Sequence, residues 1–401
     1  MKRINIKVMA VALAITCLLA GCSNKQVSQE ETPVAKINDE VVTWKEFHDV
    51  YAYYLNQYGI TDETDEANAD TVANLRTNIL DSLIDEKVQY VNAVKLGLDV
   101  LTDEEKEQVN TTLVQITDNW RNQFNAQAMS SYPDLSDNEK IQKAREMYDN
   151  YVKETGYTEE YVIGVETRRM ALEKLFQQVT EGVEPTEDDV MNAYTQNLQA
   201  AKEEYAETPS FYENDYLDET AIIYYHPAGF RRVKHILISL SDDDVNAIYE
   251  LRNAGDDAAA DAKRDECLQS IRAEAEVVLA SLQADGSNFD SVMREKSTDP
   301  GSTNYPNGYV TYNESTTFVP EFVTGTFAIS KVGEISPLVA TDYGYHILRW
   351  EEEISEGDVS YENIREAVKE QLWAANREEK YTEMVEQWKT EVTIERFEDK
   401  I

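Results

Sequence analysis

Apolar positions along this chain follow two periods, and the changes of period mark its organisation. After a polar stretch at 23–32, the run P-V-A-K-I-N-D-E-V-V-T-W-K-E-F alternates around Asn38-Asp39 and then shifts to helical spacing. That predicts a small hairpin leading into a helix. Thr43 with Glu46 gives the helix a capping-box start, and the signature recurs at Thr102/Glu105 and Ser136/Glu139, with a looser version at Thr186/Asp189. Helical spacing holds through Ile79, Leu83, Val88 and Val91, with Gly97 as a stop, and again through Val109, Leu113, Ile116, Trp120 and Phe124. A further helix is expected over Glu159–Thr180, ended by Glu184-Pro185. Near the C-terminus Ile364, Val368, Leu372, Ala375, Met384, Trp388 and Val392 keep helical spacing, and T-I-E-R-F reads as a closing strand.

Two apolar runs break the helical pattern: V-K-H-I-L-I-S from Val233 and G-Y-H-I-L-R-W from Gly344. Both read as buried strands, and each carries one of the four histidines in the chain. Between them lie S-T-D-P, F-V-P-E-F and G-E-I-S-P-L-V-A-T-D, and an acidic, Ala-rich stretch around Ser241–Ser270. Glu203–Tyr225 interleaves acidic residues with six aromatics and reads as an adaptable linker or contact surface.

The first 22 residues change the picture of where the protein resides. Lys2, Arg3 and Lys7 precede an apolar run from Val8 to Ala20, too short to span a bilayer comfortably, which ends in L-A-G-C. This resembles a bacterial lipoprotein signal, which implies cleavage before Cys22 and diacylglycerol on its thiol. Cys17 would leave with the signal, so Cys267 would remain alone and no internal disulfide can form.

Asp and Glu number 77 against 37 Lys and Arg, a formal net charge of −40. Nucleic-acid binding needs basic faces and is excluded on that ground. The charges are spread, which favours solubility. No His, Cys and Asp set has metal-ligand spacing, so no metal and no cofactor is expected.

A single histidine in an apolar strand is ordinarily a satisfied core residue. The ordered set argues differently. Two strand histidines, an acidic turn and paired phenylalanines build a site that is apolar at its base and polar at its lip. From Arg232 to Trp350 the chain resembles the parvulin family of peptidyl-prolyl isomerases. The resemblance implies a polar cluster of His235, Asp299, Thr341 and His346 as catalytic groups, with Phe318 and Phe322 lining the proline pocket. Tyr343, where the family often has a small residue, would narrow the pocket mouth. The family's Gly-Gly-Asp-Leu-Gly run is replaced here by N-Y-P-N-G-Y-V-T-Y, with Gly308 kept as a positive-φ position. The S-D-D-D loop after the first histidine lacks the basic cluster of phosphate-selective members.

The outer segments resemble SurA- and PrsA-type foldases. The fold expected is therefore α+β: a mostly helical chaperone domain built from the N- and C-terminal segments, with an inserted parvulin-like domain of a small antiparallel sheet flanked by helices. The expected boundaries are a signal at 1–21, a lipidated tether at 22–32, helical segments at 33–225 and 354–401, and the isomerase-like domain at 226–353. The implied protein is a lipid-anchored foldase on the extracytoplasmic face of the membrane. Its partners would be unfolded exported chains with X–Pro bonds, and a homodimer is left open. The competing reading is a holdase whose parvulin-like domain only recognises peptide. A third, a solute-binding lipoprotein, is disfavoured by the lack of alternating βα units.

Overall fold

Asn38 turns the chain at φ 51° and pairs β1 (Pro33–Ile37) antiparallel to β2 (Glu40–Thr43). The structure is a computed structural model that describes residues 31–283 and 286–401. The signal segment, Cys22 and nearly all of the tether lie outside the described residues. Thr43 closes the hairpin and starts α1 (Trp44–Gln57): its hydroxyl accepts from the Glu46 N–H at 3.2 Å, and Glu46 accepts from the Thr43 N–H at 2.8 Å. A cap of this kind contributes about 1 kcal/mol. Next come α2 (Ala69–Lys95), α3 (Asp103–Ser131) and α4 (Asp137–Thr155), the last two opened by the capping boxes at Thr102 and Ser136. The helix α5 (Glu159–Val179) follows Thr158. Leu75, Ile79, Leu80, Ile84 and Val88 of α2 are buried together with Ile37 and Leu175.

Thr186 and Asp189 form a complete capping box at the head of α6 (Glu187–Glu207), followed by the short α7 (Ser210–Leu217) and β3 (Tyr225–His226). The strand β4 (Phe230–Ser239) leads into α8 (Asp242–Asn253), α9 (Asp257–Ser281), α10 (Phe289–Lys296) and a single turn, α11 (Gly301–Asn304). Then come β5 (Tyr309–Tyr312), α12 (Pro320–Ala328), β6 (Val339–Thr341), β7 (Gly344–Glu353) and β8 (Gly357–Asp358). The long α13 (Tyr361–Glu391) and β9 (Ile394–Arg396) complete the chain.

The chain divides into two compact units, Met1–Glu184 with Ala375–Ile401, and Pro185–Ala374. In the first, β9 pairs with β1 to give a sheet of order β2-β1-β9, and Tyr381, Val385 and Trp388 of α13 enter the α2 core. The C-terminal segment thus completes the fold that the N-terminal segment begins, and the second unit is inserted between them.

In the second unit the main sheet is antiparallel, in the order β5-β4-β7-β6. Both faces of β4 and β7 are covered, which is why these strands read as unbroken apolar runs. Ile236, Ile238, Tyr345 and Ile347 pack against Ile248, Leu268, Val278 and Phe289 on one face. Val233, Leu348 and Trp350 pack against Phe322 and Ile329 on the other.

This unit is wider than the 226–353 span read from the sequence. The aromatic stretch Glu203–Tyr225 is not a linker but packs inward through three of its tyrosines, while Phe211 stays exposed. Tyr205, Tyr212 and Tyr224 are buried with Phe230, Val310, Ile354 and Val368, and the Tyr212 ring meets Phe230 edge-on at 4.8 Å. Acidic neighbours had masked an apolar stripe that the sheet covers.

Candidate active site

The register of the two central strands sets the site. His235 pairs across from Leu348, and Leu237 from His346. Side chains two apart on a strand share a face, so both imidazoles are diagonal neighbours on the α12 side of the sheet. Their ring centroids are 5.2 Å apart, and both residues are buried.

Asp299 reaches them because β5 is short. It covers β4 only from Phe230 to Val233, which leaves the same edge open further along. The Ser297-Thr298 pair fills that edge: the Thr298 N–H donates to Leu237 O at 2.9 Å, and Ser297 Oγ accepts from the Leu237 N–H at 3.1 Å. The next residue then places Asp299 Oδ2 3.0 Å from His235 Nε2. This is ion-pair distance, but the ring N–H is not well aligned on the oxygen, since neither His235 nitrogen has an aligned hydrogen bond. Burial alone would raise the Asp299 carboxyl. His235, the Gly301 N–H and the Tyr309 hydroxyl outweigh it and hold the carboxyl below its usual range.

His346 is ordered by a turn. Thr341 and Gly344 close the β6–β7 hairpin, with Thr341 Oγ1 accepting from the Tyr343 N–H at 3.1 Å and lying 3.1 Å from His346 Nε2. Arg252 of α8 grips that turn through both Asp342 oxygens at 3.0 Å. The acidic insertion therefore buttresses the site from behind. Burial, reinforced by the neighbouring His235, pushes the His346 pKa down to about 3, with Asp299 opposing the shift only in part. His346 is neutral at physiological pH.

The apolar part comes from α12 and the loop before it. Phe318 and Phe322, one turn apart, stack with centroids 5.3 Å apart. Phe322 also meets both imidazoles edge-on, His235 at 5.3 Å and His346 at 5.6 Å. Arg231 secures the far end of α12 by donating to the Thr326 and Ile329 carbonyls at 3.3 Å, with its guanidinium over Trp350 at 3.6 Å. Tyr343 stands apart from this group. It is half-exposed on the β6–β7 turn, and no described ring contact joins it to either phenylalanine.

Tyr309 is a member of the cluster that the sequence reading passed over. Its ring lies parallel to His235 at 5.4 Å, its hydroxyl donates to Asp299 Oδ2 at 3.3 Å, and its edge meets Phe318 at 5.5 Å. It therefore joins the polar lip to the aromatic floor. Two glycines make its placement possible. Gly308 turns the chain at φ +88°, where a Cβ would press to 2.4 Å on Val233 O, and a Cβ on Gly301 would fall 1.9 Å from the Tyr309 hydroxyl. The signal in the sequence was the loop N-G-Y-V-T-Y itself, in which Tyr309 shares a strand face with Thr311.

Polar groups converge here over stacked rings, an arrangement suited to binding an extended peptide. Among the described residues, no group of three or more His, Cys, Asp or Glu is placed to hold a metal ion. A family profile described as the PPIC-type PPIase domain matches residues 235–352, which span every residue of this cluster. The chain carries a parvulin-type peptidyl-prolyl isomerase domain. A second profile, the SurA-like N-terminal domain, matches residues 1–133. Foldase protein PrsA of Clostridium botulinum (strain Hall) is 22% identical over 379 residues, covering 92% of this chain and 90% of the relative. The PrsA of Clostridium kluyveri is 23% identical over 413 residues, covering 97% and 98%. The crystal structure of PrsA from Bacillus subtilis aligns over 90% of this chain and 93% of its own at 16% identity, with a TM-score of 0.24.

Proposed function

We propose that the protein is a membrane-anchored extracytoplasmic foldase that binds unfolded exported chains and speeds rotation about their X–Pro bonds. Rotation crosses a barrier of about 18–20 kcal/mol and takes roughly 10–100 s unaided. In the proposed mechanism Phe318 and Phe322 seat the pyrrolidine ring and take the amide out of water, where its planar, charge-separated form is best solvated. His235, Asp299, Thr341 and His346 form the polar lip that favours the twisted amide over the planar one. The ionised Asp299 would face His235 Nε2 across 3.0 Å.

The observation that carries this reading is the meeting of segments from four parts of the domain at one place, two imidazoles and a carboxylate above two stacked phenylalanines. The helical unit would hold clients. An open groove of about 750 Å³ there, floored by Leu98 and Met170 and rimmed by Glu104, Glu173 and Glu181, suits shallow capture. Residues 1–21 would be removed and Cys22 acylated, with 22–32 as tether. Two acyl chains hold a bilayer far better than one. Among the described residues no helix is long and apolar enough to cross a membrane.

The test is isomerisation of a proline peptide by the full chain and by Asp299→Ala. Removing one preorganised polar group of an active site typically costs about 100-fold or more in turnover, and a loss of that order without unfolding is expected. Unchanged turnover removes Asp299 from the site. A chain that suppresses aggregation with no isomerisation would instead be a holdase. Recovery of the mature protein in the soluble extracellular fraction with an unmodified Cys22 would count against the lipid anchor.

A further inference from the structure

The loop from Asn313 to Val319 joins β5 to α12 and carries Phe318, one of the two rings of the floor. A side chain about one hundred residues upstream holds this loop. Glu213 of α7 is 0% exposed. Its Oε2 accepts the hydroxyl hydrogens of Ser315 at 2.9 Å and Thr317 at 2.5 Å. The loop is also tied to itself, since the Ser315 N–H donates to Tyr312 O at 3.0 Å and the Thr317 N–H to Ser315 Oγ at 3.2 Å. The helix that supplies Glu213 is itself pinned by the neighbouring Tyr212, whose ring is buried against Phe230 and whose hydroxyl meets His226 Nδ1 at 2.8 Å.

A carboxyl group with no solvent exposure is costly unless its oxygens are satisfied. Here one oxygen takes both hydroxyl hydrogens, and the other has no partner among the described residues. An apolar residue would fill α7 at lower cost, so the fold gains something specific from this carboxyl. What it gains is a fixed path for Ser315-Thr316-Thr317, and therefore for Phe318.

We propose that Glu213 is a positioning residue of the isomerase: it clamps Ser315 and Thr317 so that Phe318 is held stacked on Phe322 before a proline arrives. The inference rests on Phe318 forming part of the proline pocket. It gives the acidic, tyrosine-rich segment a role, because α7 sets how well the domain grips its substrate while taking no part in twisting the bond. A loop already ordered binds without the cost of ordering it, so loss of the clamp weakens binding and leaves the bound reaction alone.

The experiment compares the full chain with Glu213→Ala, Glu213→Gln and the pair Ser315→Ala/Thr317→Val. A proline tetrapeptide serves as substrate, with thermal melting as a check on folding. Glu213→Ala and the double variant are expected to raise KM about tenfold with kcat within about twofold, the signature of lost uniform binding. Glu213→Gln keeps an oxygen where both hydroxyls donate, so its KM should return to near the parent value. Amide exchange across Ser315–Val319 should quicken in Glu213→Ala and slow again in Glu213→Gln. A purely structural glutamate would lower the melting temperature without this split between KM and kcat. Equal KM in all four proteins, with the parent active, overturns the inference and leaves the isomerase reading intact. A parent that does not isomerise proline removes the isomerase reading, and unchanged exchange in Glu213→Ala then overturns the clamp as well.

Discussion

Burial disfavours the charged form of His346, and the effect reaches stability. Its pKa falls from the ordinary 6.5 to about 3 because burial and His235 disfavour the charged ring. Between those values the unfolded chain binds a proton that the folded one refuses, so stability rises with pH across the window and is lost on acidification below about 6.5. The slope approaches about 1.4 kcal/mol per pH unit. Asp299 works in a lower window, since a depressed carboxyl stabilises above its unfolded pKa and loses that contribution as pH falls through the folded one. Denaturant midpoints of the 185–374 unit, read by tryptophan fluorescence from pH 7 to pH 4.5, should therefore fall in the parent and be flatter in His346→Gln. Equal slopes would show that the ring titrates normally. Tyr309 gives a second residue-scale prediction. Tyr309→Phe keeps the stack on His235 but removes the donor to Asp299. The carboxyl should move up toward its ordinary range, and the acid limb of kcat/KM should shift to higher pH with the plateau nearly intact. An unmoved acid limb would mean that the long 3.3 Å contact does not bear on Asp299.

At the level of elements, α12 depends on one arginine for its aim. Arg231 is mostly shielded, donates to two carbonyls at the end of that helix, and lies between Trp350 and Phe327. Lysine cannot reproduce a planar fork that stacks and bonds at once. Arg231→Lys should cost about 1–2 kcal/mol in chemical denaturation, and should raise KM, since Phe322 rides on the same helix. An unchanged midpoint would assign the helix position to its apolar contacts alone. Most elements were legible in the sequence because their ends carry chemistry: the Asn38 turn, the capping boxes at Thr43, Thr102, Ser136 and Thr186, and the histidine-bearing strands. The candidate residues His235, Asp299, Thr341, His346, Phe318 and Phe322 were legible through their ordered resemblance to the parvulin motifs, and the structure places all six in one cluster. Tyr309 did not, because its role depends on the absence of a side chain at Gly301, which spacing does not record. The α7 segment was hidden for another reason. Its charged residues dilute the apolar pattern, and the pairing of Glu213 with Ser315 and Thr317 spans about a hundred residues.

For the whole molecule, the question is how much chain the isomerase needs in order to fold. A boundary at 226–353 cuts through a packed cluster. It separates Phe230 and Val310 from Tyr205, Tyr212 and Tyr224 on one side and from Ile354 and Val368 on the other. Fully burying a large apolar side chain contributes roughly 1.5–3 kcal/mol. Losing several at once consumes much of the 5–15 kcal/mol that is typical of a domain. The severed face would also be apolar, on a protein whose net charge of −40 otherwise opposes association. A fragment of residues 185–374, the compact unit of the structure, keeps the cluster and the Glu213 clamp together. That fragment should melt cooperatively and isomerise proline peptides with the KM of the full chain. The shorter 226–353 fragment should bind a hydrophobic dye, melt broadly and associate in sedimentation runs. If it instead melts as sharply and at the same temperature as the longer one, the aromatic cluster is an accessory to the domain, and the stability of the sheet must come from the α8–α10 and α12 faces alone.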